Sequence, residues 1–340
     1  MKLESSISTS VKRNEGLDAL RLVAAFMVCI QHTITSVGVF GYVLMLTRIA
    51  VPVFFMITGF YIYNAKLKKQ MLKTLNIILV MTVLYFCFDL AKFFALGKLA
   101  YFWGQFADLE NWIKLIVFNS PIVADHGWYL FALLYALPIV HMLVHRNNKI
   151  VLICAFAATY TFCIIFGKYS MLVFGTEFPA YIVRSFLGMG IPFLILGYFV
   201  NAIIKLGGIC SRRFSHVFLL IAVVVSIMER FLLETFGVNG TRDVYISTAL
   251  LAVAFFMWFY LHADMFAGSK IPKMGLKYSL CIYIVHIAFR EVFEFGCERI
   301  GLTNEYLLNV IEPTVIIVLS FITAVVYYFV FDKYVKRRIQ

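Results

Sequence analysis

The sequence predicts an all-α fold, a polytopic bundle of about ten transmembrane helices with both termini in the cytoplasm. Three observations predict it. Of 340 residues, 62% are hydrophobic and only 14% charged, and the mean hydropathy is +0.89, more apolar surface than a water-soluble domain can cover. Apolar runs of roughly 20 residues, enough to cross about 30 Å of hydrocarbon, recur between short polar breaks. The basic residues also crowd into alternate breaks, as the positive-inside rule requires.

The apolar runs lie at 18–38, 44–64, 74–96, 128–145, 150–167, 182–204, 216–236, 245–262, 278–297 and 310–331. The first follows seventeen polar residues, is longer than a signal-peptide core and contains Arg21, Gln31 and His32, so no cleavage is expected. The second holds Arg48, Pro52 and Gly59, which permit a kink and close helix contact. The break at 97–127 is rich in aromatics (Tyr101, Phe102, Trp103, Phe106, Trp112) and is expected to lie along the outer interface. The fourth run opens at His126-Gly127-Trp128-Tyr129, and the sixth carries Arg184 ahead of Gly188-Met189-Gly190-Ile191-Pro192. Glu229, Arg230 and Glu234 sit in the outer part of the seventh; Ser279, Tyr283, His286, Arg290, Glu291 and Glu294 belong to the ninth. No break is long enough for a separate soluble domain, so one transmembrane domain spans 1–340.

A net charge of +12 would suit a nucleic-acid partner, but the placement of the charge argues for topology instead. With a cytoplasmic N terminus, the inner segments hold Lys2, Lys12, Arg13; Lys66, Lys68, Lys69, Lys73; Arg146, Lys149; Lys205, Arg212, Arg213; Lys270, Lys273, Lys277; and Lys333, Lys336, Arg337, Arg338. The outer loops hold only Lys98, Lys114, Lys168, Arg242 and Arg299. The surplus faces the anionic lipid of a cell inner membrane, not nucleic acid. Cys29, Cys87, Cys154, Cys163, Cys210, Cys281 and Cys297 form no CxxC and read as small packing residues. There is no Gly-rich phosphate loop, no HExxH and no GxSxG, and Asn239-Gly240-Thr241 reads as a turn before it reads as a sequon.

An ionisable side chain at membrane depth costs about 2.5 kcal/mol or more and so marks a site or a structural pair. Arg21 and His32 are eleven residues apart, which places them on one helix face, roughly 16 Å apart along the axis. Asp18 and Arg21 could equally be an i,i+3 pair, with His32 a packing residue. Arg48 could snorkel to the interface, and Trp128 and Tyr129 could belong to an aromatic belt. The embedded charge concentrates in the outer half, which predicts a polar cavity open to the outside, with Arg21 as the main cytoplasmic-side feature.

Together these motifs resemble acyltransferase family 3. Leu17-Asp18-Ala19-Leu20-Arg21 leads to His32; Arg48 precedes Phe54-Phe55 and Thr58-Gly59-Phe60; His126-Gly127-Trp128-Tyr129 and Ser279-Leu280-Cys281-Ile282-Tyr283-Ile284-Val285-His286 follow in order. Thr58 stands where the family has Ser and keeps the hydroxyl. The resemblance implies transfer of an acyl group, commonly acetyl, from cytoplasmic acyl-CoA as co-substrate to a hydroxyl of an extracytoplasmic saccharide or glycolipid, with no metal. It implies His32 as the catalytic residue and Arg21, Arg48 and Arg184 as donor contacts; His126, Trp128, Tyr129, Tyr283 and His286 are expected to hold substrate. The chain is also similar to the membrane domain of the membrane serine racemases of vancomycin-resistance operons, which implies amino-acid import instead.

Overall fold

The computed structural model describes residues 13–208, 211–238 and 244–334. Cys210, the sequon at Asn239, Lys2, Lys12, Arg242, Lys336, Arg337 and Arg338 lie outside the described residues, as does the side chain of Lys333. Within them all regular structure is helical.

Helix α1 (Glu15–Thr33) starts where Asn14 caps it: the Asn14 side chain accepts from Leu17 N at 3.0 Å and donates to Tyr260 O at 3.0 Å. Acidic Glu15 and Asp18 in the first turn suit the positive end of the helix dipole. The helix stops five residues short of the expected 38. Thr33 turns its hydroxyl back onto Cys29 O at 2.9 Å, and Gly38, at φ +54, redirects the chain into α2 (Val39–Thr47).

The second span is α2 and α3 (Ala50–Phe60), interrupted at Arg48 and Ile49. Pro52 has no N–H to give the Arg48 carbonyl, and its ring crowds that oxygen, so the break falls at Arg48. The chain continues through α4 (Leu67–Ala95), two short helices α5 (Leu99–Ala107) and α6 (Leu109–Phe118), α7 (Trp128–His145), α8 (Lys149–Phe166), α9 (Ser170–Phe174) and α10 (Ala180–Val183). A π-helical turn, Phe186–Gly190, leads into α11 (Ile191–Lys205), followed by α12 (Arg212–Thr235), α13 (Ser247–Leu261), α14 (Ile271–Ile300) and α15 (Glu305–Tyr334). Helices outrun the apolar runs at their polar ends: α4 begins seven residues before 74 and α14 seven before 278. Lysine and glutamine are good helix formers, so hydropathy marks the membrane rather than the helix.

Seven helical segments are long and apolar enough to cross a membrane. Helices α1, α13 and α14 complete the ten expected segments; α1 and α14 carry charges and α13 has 15 residues. The chain is a polytopic membrane bundle with a centre and a rim. The apolar stretches of Val39–Phe60, Phe186–Lys205 and Asp125–His145 are 72%, 61% and 56% buried, whereas those of α4, α8, α12 and α15 are about one-fifth buried. Glycine permits the tight centre. A Cβ on Gly59 would stand 2.0 Å from Leu194 O, and one on Gly197 2.1 Å from Met56 O, so α3 and α11 touch backbone to backbone. Likewise a Cβ on Gly275 would lie 1.9 Å from Asp18 O, which seats α14 directly on α1. The aromatic break is helical: α5 packs Phe102, Trp103 and Phe106 around Phe86 at 5.4–6.1 Å between ring centroids and leaves Tyr101 and Trp103 exposed.

Candidate active site

Three histidines meet where α1, α14 and the turn before α7 converge. The His286 ring centroid lies 5.2 Å from that of His32 and 5.4 Å from that of His126. His286 Nδ1 is 2.7 Å from Tyr283 O, one turn back in the same helix. A neutral imidazole that donates there keeps its lone pair on Nε2. Nε2 of His286 and Nε2 of His126 are both buried without a hydrogen-bond partner, a state that costs about 1–3 kcal/mol per group unless something binds there. Two tyrosines pin the His126 turn to α14. The Tyr283 hydroxyl donates to His126 O, and Tyr85, its ring 4.6 Å from His126, donates to Ile284 O at 2.7 Å.

Arginines reach this centre from two places where regular helix fails. Arg48 sits at the proline-induced break between α2 and α3, and Arg184 follows α10 just before the π-helical turn. That turn is fixed by Asn119, whose Oδ1 accepts from Phe186 N at 2.7 Å, and by Ser185, whose hydroxyl accepts from Gly188 N at 3.2 Å. Arg48, Arg184, Gln31, His32, His126 and Tyr283 line one narrow cavity with about 20 Å³ of free volume, room for about one water. Arg48 therefore faces the bundle interior rather than snorkelling.

A second cavity, about 470 Å³, adjoins His32 on the other side, between α14 and α15. Its wall includes Arg290, Glu294, Glu298, Glu305, Asn309 and Glu312. Of the three histidines, His32 alone borders both cavities.

Toward the opposite end of α1, Arg21 Nη1 is 2.9 Å from Asp18 Oδ1, and Asp18, 3% exposed, also accepts from Arg13 Nε. The i,i+3 pair is thus present. Tyr129 contacts the Thr58 hydroxyl, and its ring lies 5.7 Å from that of Tyr283. Tyr129 thereby packs against Tyr283, whose hydroxyl reaches the His126 turn. Trp128 and Tyr129, 7% and 9% exposed, are core residues and not an aromatic belt.

Other embedded charges hold the scaffold. Glu229 accepts from Ile246 N at 2.7 Å and Ser247 N at 2.8 Å, capping α13, while Arg230 pairs with Glu234 at 2.6 Å and lies over Tyr42. A cavity of about 850 Å³ lies between α4, α14 and α15 with Lys66, Lys68, Lys69 and Lys73 along it, and none of the three clustered histidines lines it. It is an apolar groove on the lipid-facing side, so the smaller polar cavities are the candidates for chemistry. Sequence reading passed over Glu312, Asn309 and Tyr85. An acid two residues into the run at 310–331 meets the same criterion that singled out Arg48, so Glu312 was findable; Tyr85 looks like any aromatic in a lipid-facing helix.

The family model described as the acyltransferase domain of acyltransferase family 3 matches residues 14–329, nearly the whole chain. No curated protein and no solved structure matches it. The matched span contains every residue of both cavities, and the chain belongs to this family of membrane acyltransferases.

Proposed function

We propose that the protein transfers an acyl group, acetyl by preference, from cytoplasmic acyl-CoA to a hydroxyl of an extracytoplasmic saccharide or glycolipid, in a cell inner membrane with both termini inside. The observation that carries this reading is the position of His32. It joins the arginine-lined cavity to the outer vestibule, and its helix presents Arg21 on the same face roughly 16 Å toward the cytoplasm. Arg21 takes a phosphate of the coenzyme, and the pantetheine arm extends past Tyr129 and Tyr283 to bring the thioester beside His32. The cavity there has about 20 Å³ free, so it has to widen to admit the arm.

The chemistry then follows from the side chains. His32 accepts the proton of the acceptor hydroxyl as its oxygen attacks the thioester carbonyl. Arg48 and Arg184, at the acyl end of the donor, stabilise the oxyanion, a contribution of about 3 kcal/mol per donor in comparable sites. The C–S bond breaks, the thiolate takes the proton back from the imidazolium, and free coenzyme and an ester remain. His286 packs against the His32 ring, and His126 packs in turn against His286.

Amino-acid import is the second reading, favoured by the same arginine cavity lying against a carboxylate-rich vestibule, which could hold a zwitterion. Proteoliposomes separate the two. With acetyl-CoA inside and a saccharide acceptor outside, acetyl transfer or acetyl-CoA hydrolysis without uptake of radiolabelled serine is expected. Serine accumulation indifferent to acetyl-CoA refutes the transferase reading.

A further inference from the structure

The vestibule beside His32 has a charge that restricts what can enter it. Four carboxylates, Glu294, Glu298, Glu305 and Glu312, face it against a single guanidinium, Arg290. Arg290 is committed to Glu294, with Nη2 at 2.7 Å and Nε at 2.9 Å from the same oxygen. Glu312 is different. It is 6% exposed, its Oε1 has no hydrogen-bond partner, and Arg290 Nε stands 3.9 Å away, beyond hydrogen-bond reach. Two further cations, Lys92 and Arg299, line an adjoining pocket, and Lys92 is paired with Asp89 and Glu291. A buried carboxylate oxygen without a donor is a costly group to maintain, and it is satisfied by a ligand that brings the donor. A hydroxyl could serve, but an ammonium does better in a low-dielectric cleft of net negative charge.

We infer that the vestibule selects an acceptor carrying a protonated amine close to the reacting hydroxyl, as in an amino sugar, with Glu312 receiving the ammonium, and that it turns anionic acceptors away. The inference rests on the reading of His32 as the residue that meets the acceptor. Glu312 touches the ammonium and not the reacting atoms, so it is a specificity residue. The same field slows the approach of uronates and phosphate-bearing sugars by repulsion from Glu298 and Glu305 at the mouth.

The test needs no acyl transfer, so its failure is distinct from failure of the transferase reading. In a cysteine-free variant in lipid nanodiscs, Thr303→Cys places a thiol on the vestibule wall, and Thr176→Cys serves as a control on an exposed loop. The rates with a trimethylammonium and a sulfonate methanethiosulfonate reagent of similar size are compared. At Thr303→Cys the cationic reagent is expected to lead by about tenfold or more beyond its lead at the control, and Glu312→Gln, which preserves shape, should reduce that lead severalfold. Glucosamine should slow labelling while glucuronate at equal ionic strength does not. A lead no larger than at the control, a lead untouched by Glu312→Gln in protein of unchanged elution profile, or equal protection by the two sugars overturns the inference.

Discussion

The two ends of α1 carry ionisable residues on one helix face, and their surroundings are opposite. At the Arg21 end the charge is matched: Asp18 sits between Arg21 and Arg13, nearly sealed, with Gly275 of α14 pressed against the backbone of Asp18 itself. At the His32 end two neighbouring imidazole nitrogens lack partners, and cavities open on both sides of the ring. The same helix thus has one end whose charges are paired and another whose neighbouring imidazole nitrogens are not. In the proposed reaction the paired end holds the donor, and His32, at the end lined by cavities, is the group that passes a proton.

The largest effect expected from this contrast is at His32. General-base assistance is typically worth about 10²–10⁴ in rate, so His32→Ala should reduce turnover by that order while expression and the donor Michaelis constant stay nearly intact. His286→Ala, which removes a ring 5.2 Å behind His32, should cost less. Near-normal turnover in His32→Ala together with loss in well-folded His286→Ala would move the base to His286 and break the contrast.

Arg21 should respond differently. A hydrogen bond to a charged group contributes about 1.5–3 kcal/mol, a factor of roughly ten to a hundred, and a phosphate contact is equal in ground and transition states. Arg21→Ala should therefore raise the donor Michaelis constant by that factor with a smaller fall in turnover. Arg21→Lys should recover part of it, because a lysine supplies charge without the planar fork. A fall confined to turnover would place Arg21 at the chemistry instead of the anchor.

How much of the contrast was legible beforehand differs between the two ends. The shared face of Arg21 and His32 follows from helix periodicity alone, and the Asp18 pair from i,i+3 spacing. The break at Arg48 was half legible: Pro52 announced a kink, but placing it at Arg48 requires counting back to the carbonyl that loses its donor. Convergence of Arg184, His126 and His286 onto His32 is tertiary, and short-range pattern carries no information about it; the family motifs linked the two other histidines to His32, and Arg184 stood out only as an embedded charge. Glu312 was missed because it lies at the edge of an apolar run, where an acid looks interfacial, whereas the fold buries it between α14 and α15.

The smallest expected effect tests how sharply the anchor is divided. Arg13 and Arg21 hold the two oxygens of Asp18, but the Arg13 side chain is 57% exposed and that of Arg21 27%. An exposed ion pair is worth about 0–1 kcal/mol after screening, so Arg13→Ala should change the donor Michaelis constant by no more than about fivefold and leave turnover alone. The buried partner is the more sensitive side of the triad. Asp18→Asn keeps the shape but removes the charge that orients Arg21, and it should raise the donor constant by an amount between those of Arg13→Ala and Arg21→Ala. If Asp18 acts only through Arg21, then adding Asp18→Asn to Arg21→Ala should change nothing further, because positions in one network are not additive. If Arg13→Ala instead matches Arg21→Ala, both guanidinium groups contact the coenzyme. The anchor would then be a phosphate site shared across the start of α1, and Asp18 the spacer between its two halves.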